Sequence, residues 1–388
     1  MYQGKTVFSQ LLSSIHPESF NRCVERYGGH TKVIRFRCWD QFLCMAFAQL
    51  TYRESLRDIE ACLRSRPDLY HLGFRAPIRR STLAEANESR NWRIYADLAH
   101  GLIAKARKLY AKDPLGPEIE QPVYAIDSTT INLCLSLFPW ARYVQTRGAL
   151  KMNTQLDLRG PIPFTVRLTD GKTHEVKWMD SLVWEPGSIY LFDRGYLDFA
   201  RLYRLEQAGA FFVIRAKDHL QYCRLYAHPV EPNGPVCCDQ VISLTGFYAK
   251  KSYPAKLRRI RFYDQENQNY LVFLTNQFGF EATTIAALYR NRWKVELFFK
   301  WIKQHLRIKT FFGTSPNAVH TQIWIAIATY VLVAIMKKEH QLDKSLHQIL
   351  QKVSINLFEK IPLHEVVMKD YDPQSNLHSS NQLSLFDL

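Results

Sequence analysis

Two aspartates stand where short apolar runs end. Val123–Ile126 and Ile189–Phe192 have the length and apolar content of buried strands, and Asp127 and Asp193 follow them directly. This placement predicts two carboxylates at the C-terminal ends of two strands, exposed at one edge of a sheet. An aspartate after a strand is more commonly a turn or helix-cap residue, so either one alone would say little, but the pair favours a shared site.

A third acid, Glu296, lies in a segment with helical periodicity. On one continuous helix, with about 100° per residue, Tyr289, Arg292, Glu296 and Lys303 project within roughly one 60° arc. The simpler interpretation is an exposed helix face on which Arg292 and Glu296 form an i,i+4 ion pair. Three large apolar residues argue instead that the helix packs closely against another element: Leu297, Phe298 and Trp301.

These three acids have the chemistry of a magnesium site. Asp127, Asp193 and Glu296 offer the carboxylate oxygens that two Mg²⁺ ions prefer, and Mn²⁺ may substitute for Mg²⁺. Two such ions about 3.5–4 Å apart can activate the attacking oxygen and stabilise the leaving oxygen in an in-line phosphoryl transfer. Arg292 and Lys303 would then contact the phosphate backbone of the nucleic acid.

The elements around these acids predict an α/β catalytic domain over residues 123–336. The order is three strands, a helix near Glu175–Leu182, a strand, a helix at Phe199–Ala208 and a strand at Phe211–Arg215. A β-rich, basic insertion of about residues 216–283 follows, and a long helix begins near Thr284. Alternating strands and helices of this kind form a sheet with helices packed on it.

Residues 1–113 have helical spacing throughout and are predicted to form an all-α domain that binds DNA, joined by a Pro- and Gly-rich linker at 114–122. Arg79 and Arg80 stand just before Thr82 and Glu85, which have capping-box spacing, so a basic helix start is expected to contact DNA. An ordinary helical bundle explains this segment equally well.

Residues 337–388 are predicted to form a C-terminal helix, about Ser345–Glu359, and a flexible polar tail.

Composition favours a polyanionic partner. The 51 Lys and Arg outnumber the 36 Asp and Glu, for a formal charge of +15, which suits nucleic acid, although a basic surface that binds nothing would show the same excess. The eight cysteines include no Cys-x-x-Cys pair, so we expect reduced thiols and no zinc. The apolar run Ile323–Met336 is too short to span a bilayer and no signal peptide is evident, so we expect a cytoplasmic protein without a membrane partner.

The sequence resembles the DDE transposases of bacterial insertion sequences, in the cut-and-paste subgroup with a Y-x-x-R-x-x-x-E-x-x-x-x-x-x-K signature. Tyr289, Arg292, Glu296 and Lys303 match the signature at every position, and Asp127 and Asp193 look like the two aspartates of the family.

The resemblance implies an RNase H-like catalytic fold with a β insertion, double-stranded DNA as the partner and a homodimer that pairs two element ends. The best-studied relatives trap a flipped base with a tryptophan of the insertion, whereas no tryptophan lies between Ala216 and Thr284 here. Excision through a DNA hairpin is therefore not supported by the residues.

The last residues contain a second motif. The run Q-L-S-L-F resembles the peptide by which bacterial proteins dock into the replication sliding clamp, and its matching residues are Gln382, Leu383, Leu385 and Phe386.

Two alternatives to an active transposase stay open: a transposase-derived protein that binds DNA without cutting it, and an RNase H-like nuclease that only hydrolyses.

Overall fold

The computed structural model describes residues 4–31, 33–66, 69–74, 77–116, 119–144, 147–304 and 311–368. The N-terminal region is helical, as predicted. Its helices are α1 (Val7–Leu12), α2 (Pro17–Arg26), α3 (Cys38–Leu50), α4 (Leu56–Arg64), α5 (Arg80–Ser89) and α6 (Arg93–Tyr110). Helix α3 is apolar on nearly every side and is buried along almost its whole length, so the other helices pack around it.

A mixed sheet of ten strands follows. The strands are β1 (Val123–Leu133), β2 (Arg142–Val144), β3 (Arg147–Asp157), β4 (Ile162–Asp170), β5 (Ile189–Phe192), β6 (Phe211–Arg215), β7 (Tyr222–His228), β8 (Val236–Leu244), β9 (Leu257–Asp264) and β10 (Asn269–Thr275). The later helices are α7 (Phe199–Gln207), α8 (Phe247–Ser252), α9 (Ala282–Arg290), α10 (Trp293–Gln304), α11 (Pro316–Glu339), α12 (Leu346–Asn356) and α13 (Leu363–Met368).

The strands lie in the order β2-β3-β1-β5-β6-β10-β9-β8-β7, and β4 also pairs with β3. Strand β1 runs antiparallel to β3 and parallel to β5, which in turn is parallel to β6. Strand β10 pairs with β6 in antiparallel fashion. The β-rich segment that the sequence predicts after β6 therefore extends the same sheet.

The long apolar helix α11 lies at the centre of the molecule. It packs against α6 and α3, and residues of the N-terminal helices, the sheet and α11 share one hydrophobic core. Among the described residues, α11 is the one helix whose length and apolar composition would suffice to cross a membrane, and 94% of its most apolar window is buried inside the protein. Such burial is expected of a core helix, although α11 is longer than the run Ile323–Met336 that the sequence suggested.

The C-terminal helices close back onto the N-terminus. The backbone N–H groups of Val7 and Phe8 donate to the carbonyl oxygens of Glu359 and Leu357 at 2.9 and 2.8 Å. Helix α12 confirms the helix predicted near Ser345–Glu359, and it begins with a capping box at Ser345.

Three local predictions were wrong. Strand β1 does not end at Ile126 but continues to Leu133, because β3 pairs with it over this whole length. The predicted capping box at Thr82 and Glu85 does not form: α5 begins at Arg80, and its backbone N–H donates to Glu60 of α4 instead. The long helix expected from Thr284 is two helices, α9 and α10.

The break between α9 and α10 has a local cause. Asn291 turns its side-chain amide back onto the carbonyl oxygen of Ala287, and the N–H of Arg292 donates to the carbonyl of Tyr289, three residues earlier. The N–H groups of Asn291 and Lys294 also donate to carbonyls three residues earlier, and these short-range bonds tighten the chain into a turn. Leu297 also departs from prediction: it is 51% exposed, whereas Phe298 and Trp301 are buried as expected.

Candidate active site

The sheet brings Asp127 and Asp193 to neighbouring positions. Ile126 of β1 pairs with Phe192 of β5, and these two strands are paired no further, so each aspartate is the next residue beyond the last pair. Asp193 heads a short 3-10 turn without a capping bond from its side chain. The carboxylate of Asp127 accepts from the backbone N–H of Ser128 at 2.8 Å. Neither acid serves as an ordinary cap of the following element.

Glu296 comes to the same place from α10, and Arg292 stands between it and Asp127. One terminal nitrogen of Arg292 is 2.6 Å from Oε1 of Glu296, and the other is 3.4 Å from Oδ2 of Asp127. The i,i+4 ion pair proposed from the sequence as the simpler interpretation is therefore present. It is not merely an exposed pair, because the Arg292 side chain is only 14% exposed and also bridges to the sheet.

Burial and neighbouring charge set the protonation of Asp127. Desolvation raises the pKa of its carboxyl from 3.8 to about 6, and the nearby carboxylates of Glu296 and Asp193 push it in the same direction. The Ser128 N–H and the Arg292 guanidinium oppose this rise in pKa. Three polar atoms close to Asp127 in the chain or in contact with it are buried without a hydrogen-bond partner: Oγ of Ser128, the hydroxyl of Tyr196 and Nε of Arg292.

Two clefts flank Arg292. We call the first the acid cleft, a cavity of about 350 Å³ lined by Asp127, Ser128, Thr129, Glu296, Phe299, Lys300 and Lys303. We call the second the arginine cleft, a cavity of about 500 Å³ whose lining includes Arg215, Tyr289, Arg290, Arg292 and Trp293.

The remaining signature residues lie close by. Tyr289 is 9% exposed, packs against Phe273 at a tilted angle with ring centroids 4.8 Å apart, and lines the arginine cleft. Burial raises its pKa to about 12, so the phenol is neutral at physiological pH. Lys303 lines the acid cleft. The sequence analysis missed Lys300, an exposed residue of the same cleft, although its four-residue spacing from Glu296 on α10 could have identified it.

The predicted N-terminal DNA contacts lie elsewhere. Arg79 and Arg80 are exposed, and Arg79 lines a third cavity, of about 930 Å³, together with Arg35 and Arg90. Arg90 has a structural role, since its guanidinium donates to the carbonyl oxygens of Phe36 and Arg37. The residues of the clamp-like peptide, Gln382, Leu383, Leu385 and Phe386, lie outside the described residues.

The donor chemistry of Asp127, Asp193 and Glu296 suits a hard divalent cation, because carboxylate oxygens are the ligands that such cations prefer. Within the part of the chain that the structure describes, however, no three His, Cys, Asp or Glu side chains are grouped closely enough to hold a metal ion. The Arg292 guanidinium occupies the space between Asp127 and Glu296.

Comparison with known proteins shows the family. Residues 118–332, more than half of the chain, match the transposase DDE domain, and residues 3–75 match a domain of unknown function, DUF4372. The putative transposase y4zB of Sinorhizobium fredii is 30% identical over 72% of this chain and 77% of its own length. The chain therefore belongs to the DDE transposase family.

Two further relatives are named after insertion sequences. A probable transposase for element IS5377 of Geobacillus stearothermophilus is 30% identical over 55% of this chain and 56% of its own length. A putative transposase for element IS4SA of Synechocystis is 21% identical over 72% of this chain and 78% of its own length. Among solved structures, a piggyBac transposase synaptic complex with hairpin DNA aligns with a TM-score of 0.44 and 11% identity, over 95% of this chain and 82% of that one.

Proposed function

We propose that this transposase binds the ends of an insertion sequence and catalyses metal-dependent DNA cleavage and strand transfer, as in cut-and-paste transposition. The observation that carries the proposal is that the fold brings acids of three separate elements near one another. Asp127 of β1 and Asp193 after β5 follow the last pair of two neighbouring strands, and Glu296 of α10 is linked to Asp127 through Arg292.

The sheet supports an RNase H-like core. Strands β4, β3, β1, β5 and β6 lie side by side in this order, with the first three antiparallel to their neighbours and the last two parallel to β1. Both aspartates follow the last pair between β1 and β5, where these two parallel strands part, and in our proposal the DNA backbone reaches them there. The strands β7 to β10 then form the β-rich insertion.

Asp127, Asp193 and Glu296 would hold Mg²⁺ or Mn²⁺, two ions per site in our proposal. The chemistry that bound cations would supply is polarisation of the scissile phosphate and easier ionisation of the attacking hydroxyl. The chain's own residues position the DNA: Lys300 and Lys303 line the acid cleft and would contact phosphate oxygens beside the scissile bond. The Ser128 N–H fixes one oxygen of Asp127, and the other oxygen faces the Arg292 guanidinium.

The partners follow from the same proposal. We propose a cytoplasmic homodimer that pairs two terminal inverted repeats, with Arg79 and Arg80 contributing to DNA binding in the N-terminal region. We also propose that the peptide around Gln382–Phe386 docks into the bacterial sliding clamp, on the strength of its sequence alone.

A strand-transfer assay tests the function. Inverted repeats read from the DNA flanking the gene are supplied as labelled ends, with a target plasmid and Mg²⁺ or Mn²⁺. A transposase produces ends joined to the plasmid, and Ca²⁺ or EDTA suppresses this product. Cleaved ends without joining would indicate a nuclease that only hydrolyses. Binding without either product would indicate a catalytically silent DNA-binding protein.

A further inference from the structure

Arg292 forms the boundary between the two clefts of the active site. Its guanidinium contacts Glu296 and Asp127, both of which line the acid cleft, while the same residue lines the arginine cleft on its other side. A rotation of this one side chain would therefore transfer its charge from one cleft to the other.

The contacts of Arg292 in the acid cleft are incomplete. Its bond to Glu296 is short, at 2.6 Å, but its contact with Asp127 is 3.4 Å long, and its Nε is buried without an acceptor. A buried guanidinium with an unused N–H group has not reached its best arrangement, because each missing bond costs about 1–3 kcal/mol.

The arginine cleft offers an anion a better set of partners. Arg215 lines it and, within the described residues, is not part of an ion pair with an acid. The two acids of this cleft are already engaged: Glu266 lies 3.6 Å from Arg290, and Asp264 accepts from the N–H of Glu266 and the amide of Asn267. A phosphate there could receive two parallel bonds from a guanidinium, which is the arrangement that arginine makes best.

We propose that Arg292 is a positioning residue that neutralises Asp127 and Glu296 until a DNA phosphate in the arginine cleft draws its guanidinium away. Removing that guanidinium exposes both carboxylates to a divalent cation, so binding of DNA and binding of the cation strengthen each other. The inference rests on the proposed function, in which the same acids hold the metal.

The coupling is reciprocal by thermodynamic necessity. If DNA raises the affinity for the cation by some factor, the cation raises the affinity for DNA by the same factor, commonly about 5–150-fold. A protein built in this way holds its cation weakly until DNA occupies the site, which limits cutting in the absence of a bound end.

The test measures Mn²⁺ binding by the full-length protein, from the electron paramagnetic resonance signal of free Mn²⁺, with and without DNA. A short duplex of arbitrary sequence at low salt is sufficient, because contacts with phosphates do not depend on sequence. For the wild type we expect weak Mn²⁺ binding alone and at least about tenfold tighter binding with DNA. For Arg292→Gln we expect tight Mn²⁺ binding without DNA and no further gain when DNA is added.

Arg204→Gln is the matched control, because Arg204 of α7 forms an exposed ion pair with Asp180 and lines neither cleft. It should bind Mn²⁺ as the wild type does. The proposal would be overturned if Arg292→Gln bound Mn²⁺ no more tightly than the wild type. It would also be overturned if DNA left the Mn²⁺ affinity of the wild type unchanged. The wild-type comparison holds even if Arg292→Gln folds poorly.

Asp127→Asn separates this inference from the function on which it rests. If Asp127→Asn loses Mn²⁺ binding while Arg292→Gln binds Mn²⁺ only as tightly as the wild type, the metal site is supported and the role of Arg292 is refuted. Unchanged Mn²⁺ binding in Asp127→Asn would refute both.

Discussion

The buried carboxylate of Asp127 lowers the stability of the fold. A carboxylate that is largely buried beside two other acids is costly in its charged form, and for this reason its pKa rises to about 6. Arg292 relieves part of this cost by lying between Asp127 and Glu296. The protein keeps an unfavourable charge at the position where the proposed catalysis needs one.

We therefore expect Asp127→Asn to stabilise the fold. Because the folded-state pKa of about 6 exceeds the ordinary 3.8, the protonated form is favoured in the fold, and this contribution is lost as the pH rises through about 6. Near neutral pH, Asp127→Asn should raise the free energy of unfolding by about 1–2 kcal/mol in metal-free buffer. The gain should shrink near pH 5, where the wild-type acid begins to bind a proton. Chemical denaturation of both proteins at both pH values measures this gain in the free energy of unfolding. A gain at neutral pH that is negative, or no larger than the gain near pH 5, would contradict the prediction.

At the scale of elements, a buried ion pair fastens the β-rich insertion to the helices of the site. Arg258 of β9 donates to both oxygens of Asp239 on β8, at 2.8 and 2.6 Å. It also donates to the carbonyl oxygens of Gln277 and Phe280, in the loop that leads into α9. Through this arginine, strands β8 and β9 of the insertion are tied to the loop that precedes α9.

Breaking this pair should be costly. Asp239→Ala leaves the Arg258 charge buried, with side-chain exposures of 6% and 8% for the two partners, and should lower the free energy of unfolding by about 3–5 kcal/mol. The exposed pair Arg290–Glu266 is the control, and Glu266→Ala should cost less than about 1 kcal/mol. Urea denaturation compares the two, and equal effects would mean that the buried pair does not fasten the insertion.

The bounds of an element could be predicted where turn residues flank an apolar run. They could not be predicted where pairing or packing with a distant part of the chain sets them. Strands β5 and β6 coincide with the predicted Ile189–Phe192 and Phe211–Arg215, because each is a short apolar run between turn residues. The second half of β1 was missed, since it is polar and is stabilised by pairing with β3. The i,i+4 contact of Arg292 with Glu296 follows from helical geometry, but its contact with Asp127 depends on how α10 packs on the sheet.

At the scale of the whole molecule, the proposed function requires DNA to reach both the N-terminal helices and the acid cleft. The exposed Arg79 and Arg80 stand at the start of α5, whose other end is linked to α11: the side chain of Asn317 donates to the carbonyl oxygens of Asn87 and Arg90. The sequence could identify these arginines as candidates but could not show that Arg90 is engaged within the fold.

The double variant Arg79→Ala/Arg80→Ala should weaken DNA binding and flatten its salt dependence. Each lost phosphate contact removes roughly 0.9 from the slope of log affinity against log salt. Arg90→Ala should instead lower thermal stability, because it strips hydrogen bonds from the Phe36 and Arg37 carbonyls. Filter binding over a range of salt gives the slope. An unchanged slope would move the DNA surface to the basic insertion around Arg259 and Arg261.

The C-terminal tail can be tested as a peptide. If Leu385 and Phe386 fill an apolar pocket of the sliding clamp, changing both to Ala should remove most of the affinity, as small interfaces concentrate their energy in a few anchors. Fluorescence polarisation against purified clamp measures this. A wild-type peptide that does not bind, together with lower thermal stability of the protein without residues 381–388, would mean that the tail packs on its own chain.

The most direct test of the central claim compares DNA binding with strand cleavage in the single variants Asp127→Ala, Asp193→Ala and Glu296→Ala. In the proposed function, metal ligation and docking of DNA use different residues. We therefore expect each variant still to shift the labelled element end in metal-free buffer, and to yield no cleaved product when Mg²⁺ or Mn²⁺ is added. Cleavage that persists in Glu296→Ala would contradict the account, because the acid that α10 brings to Asp127 would then have no part in the chemistry.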